Sequence, residues 1–109
     1  MSHYHDENDM NFFQEMSDLS PEEFKAWLNL DRIVAREDGQ IPRRYRELIA
    51  LAVAFTTQCP YCVEVHTKAA KRAGVKREEI SETAFLAAAL RAGGAATHGA
   101  MALKFFNQD

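Results

Sequence analysis

The chain has 109 residues, of which 47% are hydrophobic and 27% are charged, and its formal net charge is −3 at pH 7. This composition is typical of a folded protein with one domain, residues 1–109, and excludes a disordered chain. The sequence has no basic run that could follow a phosphate backbone, so we expect no nucleic-acid partner. Its start lacks the pattern of a signal peptide, and the apolar stretch 48–55 is too short to cross a bilayer. We therefore expect a cytoplasmic protein with no membrane partner.

The first part of the chain predicts two helices. A short amphipathic helix is expected over 8–18, and a second one begins at Pro21, a residue type that suits the first helical position. Ser20 is a good N-cap for this second helix, and Glu23 would complete a capping box with it. The helix is expected to end near Gly39.

The middle of the chain predicts two more helices that proline residues introduce. The first opens at Pro42 and is almost wholly apolar over 48–55, which indicates burial on most sides. The second begins at Pro60, and Gly74 is expected to stop it.

The last part of the chain predicts helices over 77–92 and 95–106, with Gly93-Gly94 breaking or bending the chain between them. The predicted fold is therefore all-α, with about six helices. Ala and Gly are unusually frequent over 84–103, and a chain of this size buries only a modest core. We expect this stretch to pack against another subunit of a homo-oligomer, and the alternative is a tightly packed monomer core.

Both cysteines of the chain lie in CPYCVEVH, with a histidine four residues after the second. If a helix begins at Pro60, then Cys59, Cys62 and His66 lie on one stripe of its surface. Cysteines at i and i+3 of a helix have Cα atoms about 5 Å apart, which is within disulfide reach. The helix N-terminus also stabilises a thiolate. This dithiol can thus be activated, close on itself and exchange a proton with the imidazole, as a thiol peroxidase or disulfide oxidoreductase requires.

Other interpretations stay open on these residues alone. Zinc needs four ligands and the motif supplies three, so a metal site would need Glu47 or His98 as the fourth. The cysteines can also be unreactive and buried, and a lone His66 is more often structural. Glu47 follows Arg43 by four residues, which by itself favours a simple ion pair. Tyr61, between the cysteines, is a secondary candidate that either packs or brings a hydroxyl near the site.

The segment ELIALAVAFTTQCPYCVEVHTKAAKRAGVKREEISE resembles the core motif of the carboxymuconolactone decarboxylase superfamily, and in particular its alkylhydroperoxidase D branch. That branch has a glutamate, then C-x-x-C, then a histidine four residues on. The residues on these positions here are Glu47, Cys59, Cys62 and His66. The resemblance covers 42–92 well and the last helix loosely. It implies an all-helical protein that forms trimers or hexamers.

The resemblance also implies a mechanism and a hydroperoxide substrate. Cys62 would be the thiolate that the peroxide oxidises to sulfenic acid, and Cys59 would resolve it to a disulfide. Glu47 and His66 would relay the proton. The helix position alone favours Cys59 as the more acidic thiol. The decarboxylase branch lacks the cysteine pair, which argues against lactone decarboxylation.

We therefore expect an antioxidant dithiol peroxidase that needs neither metal nor cofactor, recycled by a thiol or dithiol reductant. This chain is much shorter than the full-length alkylhydroperoxidase D pattern, so a lipoylated carrier protein as the reductant stays open. One alternative is a general thiol-disulfide oxidoreductase or redox sensor that uses the same cysteines. Another is a non-catalytic helical assembly module in which the cysteines are incidental.

Overall fold

The computed structural model describes residues 5–109, which form five α-helices and one short 3-10 helix and contain no strand, so the predicted all-α class is confirmed. The elements in chain order are a 3-10 helix (Asp9–Phe12), α1 (Phe13–Leu19), α2 (Pro21–Val34), α3 (Arg43–Thr57), α4 (Pro60–Arg72) and α5 (Arg77–Phe106). They divide into two compact units, one ending at Arg36 and the other beginning at Glu37. The single domain over 1–109 stays a prediction. Within the described residues, none of the helices has the length and apolar character needed to span a membrane.

The N-terminal unit is organised around three aromatic rings of α1 and α2. The ring centroids of Phe13, Phe24 and Trp27 lie 5.6–5.8 Å apart in tilted pairs, a favourable arrangement for aromatic side chains. Pro21 begins α2 as predicted, but the helix ends at Val34, before the expected stop near Gly39.

The capping box expected at Ser20 and Glu23 does not form, because the Ser20 side chain makes no capping hydrogen bond. Ser20 also closes α1, since its N–H donates to the Met16 carbonyl at 2.8 Å. Its ψ angle of 66° is far from the extended value usual for an N-cap. One residue thus ends one helix and begins the next with its backbone alone.

The C-terminal unit has α3 at its centre, packed against both α4 and α5. Leu51 and Ala70 are fully buried, and Leu48, Phe55 and Ile80 pack against the same cluster. The opposite face of α3 is exposed in the single chain, where Ile49 and Val53 keep 51% and 54% of their surface. The chain on its own therefore covers only one face of the helix that was expected to be buried on most sides.

The C-terminal end of α4 follows the predicted glycine stop. Gly74 has a φ of +85°, in the left-handed region that glycine adopts without strain. This turn lets the Val75 N–H donate to the Ala70 carbonyl at 3.0 Å. Val75 itself is 8% exposed and joins the core.

The predicted break at Gly93-Gly94 is wrong, because α5 is continuous over thirty residues. A glycine inside a helix costs about 1 kcal/mol relative to alanine, which weakens a helix without ending it. Polar side chains also cover the carbonyls there: Thr97 Oγ1 donates to Gly93 O at 3.1 Å, and His98 Nδ1 donates to Gly94 O at 2.8 Å. Every residue from 91 to the C-terminus is exposed in the single chain.

Candidate active site

A two-residue connection between α3 and α4 positions the cysteines. Gln58 ends α3 in the left-handed region, with φ 58° and ψ 47°. Cys59 follows in an extended conformation as the N-cap of α4, and Pro60 takes the first helical position as predicted. This tight turn packs α4 against α3, so that residues far apart in the sequence can meet between the two helices.

The two cysteines are joined in a disulfide across the first turn of α4, and their Cα atoms are 5.3 Å apart. The Cys62 N–H donates to Cys59 Sγ at 3.3 Å, so the sulfur also serves as the side-chain cap of the helix. Both residues are half-buried. In the reduced protein, the same N–H and the positive end of the helix would favour a thiolate at Cys59.

Glu47 is a buried carboxylate of α3 with 2% of its surface exposed. Its Oε1 accepts from Arg43 Nε at 2.7 Å, and its Oε2 lies 2.8 Å from His66 Nδ1. A buried charge is costly unless it is paired and hydrogen-bonded, and here both oxygens have partners. The i, i+4 pair with Arg43 therefore exists, but it is one half of a bridge that continues to His66.

His66 presents two distinct ring nitrogens. Because an ionised carboxylate only accepts hydrogen bonds, the nitrogen that faces Glu47, Nδ1, carries the proton of that contact. In the neutral ring, Nε2 then has the lone pair that can accept a proton. Cys62 lies one turn earlier on the same face of α4. The arrangement thus places a neutral imidazole one turn from a cysteine.

The remaining sequence candidates lie around and outside this cluster. Tyr61 is half-buried between the cysteines. His98 is exposed on α5 in the single chain. Over residues 5–109, no three or more His, Cys, Asp or Glu side chains form a group that could hold a metal ion.

The structure gives two arginines of α3 contacts that the sequence alone did not connect with the site or with α5. Arg43 pairs with Glu47, as the spacing indicates, and the same carboxylate also contacts His66. Arg44 forms an ion pair with Glu79 that joins α3 to α5. Glu79 Oε1 also accepts from the Lys76 backbone N–H at 2.8 Å. This hydrogen bond and, to a smaller extent, the Arg44 guanidinium lower the pKa of Glu79, while desolvation raises it.

Fold and site together define an all-helical protein with a dithiol at a helix start and a buried carboxylate–imidazole pair beside it. Residues 21–105 match the carboxymuconolactone decarboxylase family, and the chain belongs to that family. The match begins in α2, well before residue 42, where the sequence resemblance begins.

Individual relatives are similar over parts of their length. An uncharacterised protein of the cox locus of Paracoccus denitrificans is 43% identical over 83 residues, covering 76% of this chain and 74% of that protein. An uncharacterised protein of Cupriavidus necator is 34% identical over 73 residues, which cover 67% of this chain and 65% of that protein. An alkyl hydroperoxide reductase of Mycobacterium tuberculosis is 47% identical over 36 residues, which are 33% of this chain and 10% of that protein.

A solved structure shares the fold over most of the chain. The crystal structure of a protein from Methanobacterium thermoautotrophicum superimposes with a TM-score of 0.70 at 30% identity. The superposition covers 83% of this chain and 96% of that one.

Proposed function

We propose that the protein is a dithiol peroxidase that reduces hydroperoxides through Cys59 and Cys62, with Glu47 and His66 as a proton relay. The observation that carries the proposal is the contact between buried Glu47 and His66, one turn from Cys62. A structural disulfide needs no such pair, because it forms between two thiols without a positioned base. Membership of the family and the short similarity to an alkyl hydroperoxide reductase support the same chemistry.

The catalytic cycle starts from the reduced dithiol. The Cys62 thiol passes its proton to His66 Nε2, and the resulting thiolate attacks an oxygen of the hydroperoxide. A sulfur–oxygen bond forms, the oxygen–oxygen bond breaks, and the departing alkoxide or hydroxide takes the proton from the imidazolium. Cys62 is then a sulfenic acid, and the products are an alcohol or water.

Cys59 completes the oxidation. Its sulfur attacks the Cys62 sulfur, so that the disulfide forms while the sulfur–oxygen bond breaks and hydroxide leaves as water with the Cys59 proton. Two external thiols, or one dithiol, then supply two electrons and two protons, become a disulfide themselves and restore both cysteine thiols. A cytoplasmic location would provide such reductants.

The proposal also assigns which of the two cysteines reacts with the peroxide. Cys59 Sγ accepts the Cys62 N–H, which favours Cys59 as the more acidic thiol. Cys62 lies one turn from His66 along α4, whereas Cys59 lies two turns from it, which favours Cys62 as the thiol that gives its proton to the base. We assign the peroxide reaction to Cys62, because thiolate formation there is coupled to a group that can later protonate the leaving oxygen.

Stopped-flow kinetics with the reduced protein test this assignment. Cys59→Ser should still react with hydrogen peroxide and an alkyl hydroperoxide and should accumulate a sulfenic acid that a cyclic 1,3-dione labels at Cys62. Cys62→Ser should lose the reaction. Peptide mapping of the oxidised wild type should find an intramolecular Cys59–Cys62 disulfide. A wild-type rate in Cys62→Ser would contradict the assignment.

A second candidate function is general thiol–disulfide exchange, which the N-cap position of Cys59 favours. If this is the function, the wild-type protein should exchange rapidly with small disulfides and should react with peroxides no faster than a free thiol does. Unreactive thiols in the folded reduced protein would instead indicate an assembly module.

A further inference from the structure

The position of Arg43 is not explained by the stability of its helix. Arg43 is the first residue of α3, whose first turn has no acidic side chain. A cation near a helix N-terminus opposes the helix dipole. An acidic residue four positions before a basic one is also the more favourable order, and Arg43 and Glu47 have the reverse order. The ion pair of Arg43 with Glu47 therefore adds little to the stability of the helix itself.

The charges around Glu47 indicate what the arginine does. The Arg43 side chain keeps 33% of its surface exposed, whereas the Glu47 side chain keeps 3%. An arginine is always protonated, so it compensates the buried carboxylate at every pH in the working range. His66 can then remain neutral and still hold its hydrogen bond to Glu47.

The two arginines that follow Arg43 in the first turns of α3 contact groups other than Glu47. Arg44 of α3 pairs with Glu79 of α5, and Arg46 Nε donates to the Ile41 carbonyl at 2.8 Å. From α4, His66 contacts the carboxylate, and Cys62 lies one turn before His66 in the same helix. Arg43 is thus the cation that the structure brings into contact with Glu47 in addition to the imidazole.

We infer that Arg43 is a positioning residue that keeps the His66 imidazole neutral, with its proton on Nδ1 and Nε2 open to a proton from the dithiol. Without Arg43, the Glu47–His66 pair would bind one more proton. That proton would either make an imidazolium or sit on Glu47 and point at Nδ1. In both cases Nε2 carries a hydrogen and cannot accept another. The protonation state stands on the geometry alone, and only its consequence for catalysis rests on the proposed function.

Nitrogen NMR of the His66 ring tests the protonation state without any activity. Wild type near neutral pH should give the neutral tautomer with hydrogen on Nδ1. Arg43→Gln should require a pH about one unit higher to reach that state, because removing a charge at contact distance changes a titration by this order. Arg43→Lys should titrate near wild type. The matched control is Arg44→Gln, which removes a neighbouring arginine that pairs with Glu79 and should leave the titration unchanged.

Two NMR results would overturn the inference. One is a wild-type ring that carries hydrogen on Nε2 near neutral pH, a measurement that needs no variant to fold. The other is an Arg43→Gln titration that coincides with that of Arg44→Gln.

Peroxide kinetics test the consequence. The acid limb of the rate profile of Arg43→Gln should move to higher pH by the same shift, with a rate about tenfold lower on that limb and recovery above it. Arg43→Lys should restore most of the rate. If wild type does not react with peroxides, the proposed function is wrong, while the NMR titration still decides the role of Arg43. If wild type reacts and its pH profile coincides with that of Arg43→Gln, Arg43 does not control the protonation state of the catalytic base.

Discussion

Replacing Glu47 by Gln separates a proton relay from a merely structural ion pair, because the amide keeps the size of the carboxylate and loses its charge. The carboxylate holds Arg43 Nε at 2.7 Å and His66 Nδ1 at 2.8 Å. An amide has a single oxygen, so its NH2 group must face one of these two partners. If NH2 faced Arg43, two donors would meet. The oxygen should therefore stay on Arg43, and the NH2 should donate to Nδ1.

This geometry sets the size of the expected effect. An Nδ1 that accepts from the amide leaves the ring hydrogen on Nε2, so the imidazole can no longer take the thiol proton. Loss of positioned proton transfer lowers a rate by roughly 100- to 10,000-fold. The amide keeps a hydrogen bond to each partner and loses only the charge, so the free energy of unfolding should fall by no more than about 1.5–3 kcal/mol, the range for a hydrogen bond to a charged group. The change should thus be far larger in rate than in stability.

The assay is the second-order reaction of the reduced protein with hydrogen peroxide, measured across pH together with thiol counts and oligomer size. Glu79→Gln is the matched control, because Glu79 is also an acidic partner of an α3 arginine and lies outside the dithiol cluster. This control should react like wild type. Equal rates for Glu47→Gln and Glu79→Gln at every pH would refute the relay and leave Glu47 with a structural role.

Three further predictions concern the scaffold. The exposed, Ala- and Gly-rich stretch 84–103 should bury its surface in a homo-oligomer, most consistent with a trimer or hexamer, and light scattering that found a stable monomer at micromolar concentration would contradict this. Gly74→Ala should lower the free energy of unfolding by about 1 kcal/mol, because φ is +85° there, and an unchanged denaturation midpoint would count against this strain. The hydrogen bond from the Lys76 N–H and the ion pair with Arg44 lower the pKa of Glu79, so both stabilise the fold near neutral pH and are lost as acid protonates the carboxylate. Wild type should therefore lose more stability on acidification than Glu79→Gln does.

The local features of the site followed from the sequence because neighbouring residues decide them. Pro60 permits a helix start and excludes a preceding helical turn, which made Cys59 the N-cap. Gly74 ended the same helix for an equally local reason. Ser20 failed as a capping residue because it also closes the helix before it, and a single sequence window does not reveal this double use. The glycines at 93 and 94 failed as a break because their cost is small against a long, otherwise favourable helix.

The bridge through Glu47 could not be derived from local patterns. Its partners are four residues before it and nineteen residues after it, and the second contact depends on how α4 packs on α3. Spacing alone favoured a surface ion pair with Arg43. Only the resemblance of the whole segment to a family drew attention to the glutamate, and only the fold revealed that the arginine and the histidine hold opposite oxygens of one carboxylate.

The backbone around Cys59 has a consequence for how the protein would respond to oxidation. Its N–H donates to the Ala54 carbonyl at 3.2 Å, and its own carbonyl accepts from the Val63 N–H at 3.1 Å. The main chain is thereby tied to the helices on both sides, and helix geometry by itself brings the Cα atoms of the two cysteines to the spacing that a disulfide needs. Opening or closing the bond should then require side-chain rotation and little main-chain movement. Such a site suits repeated turnover, whereas a signalling role requires two main-chain states that a partner can distinguish.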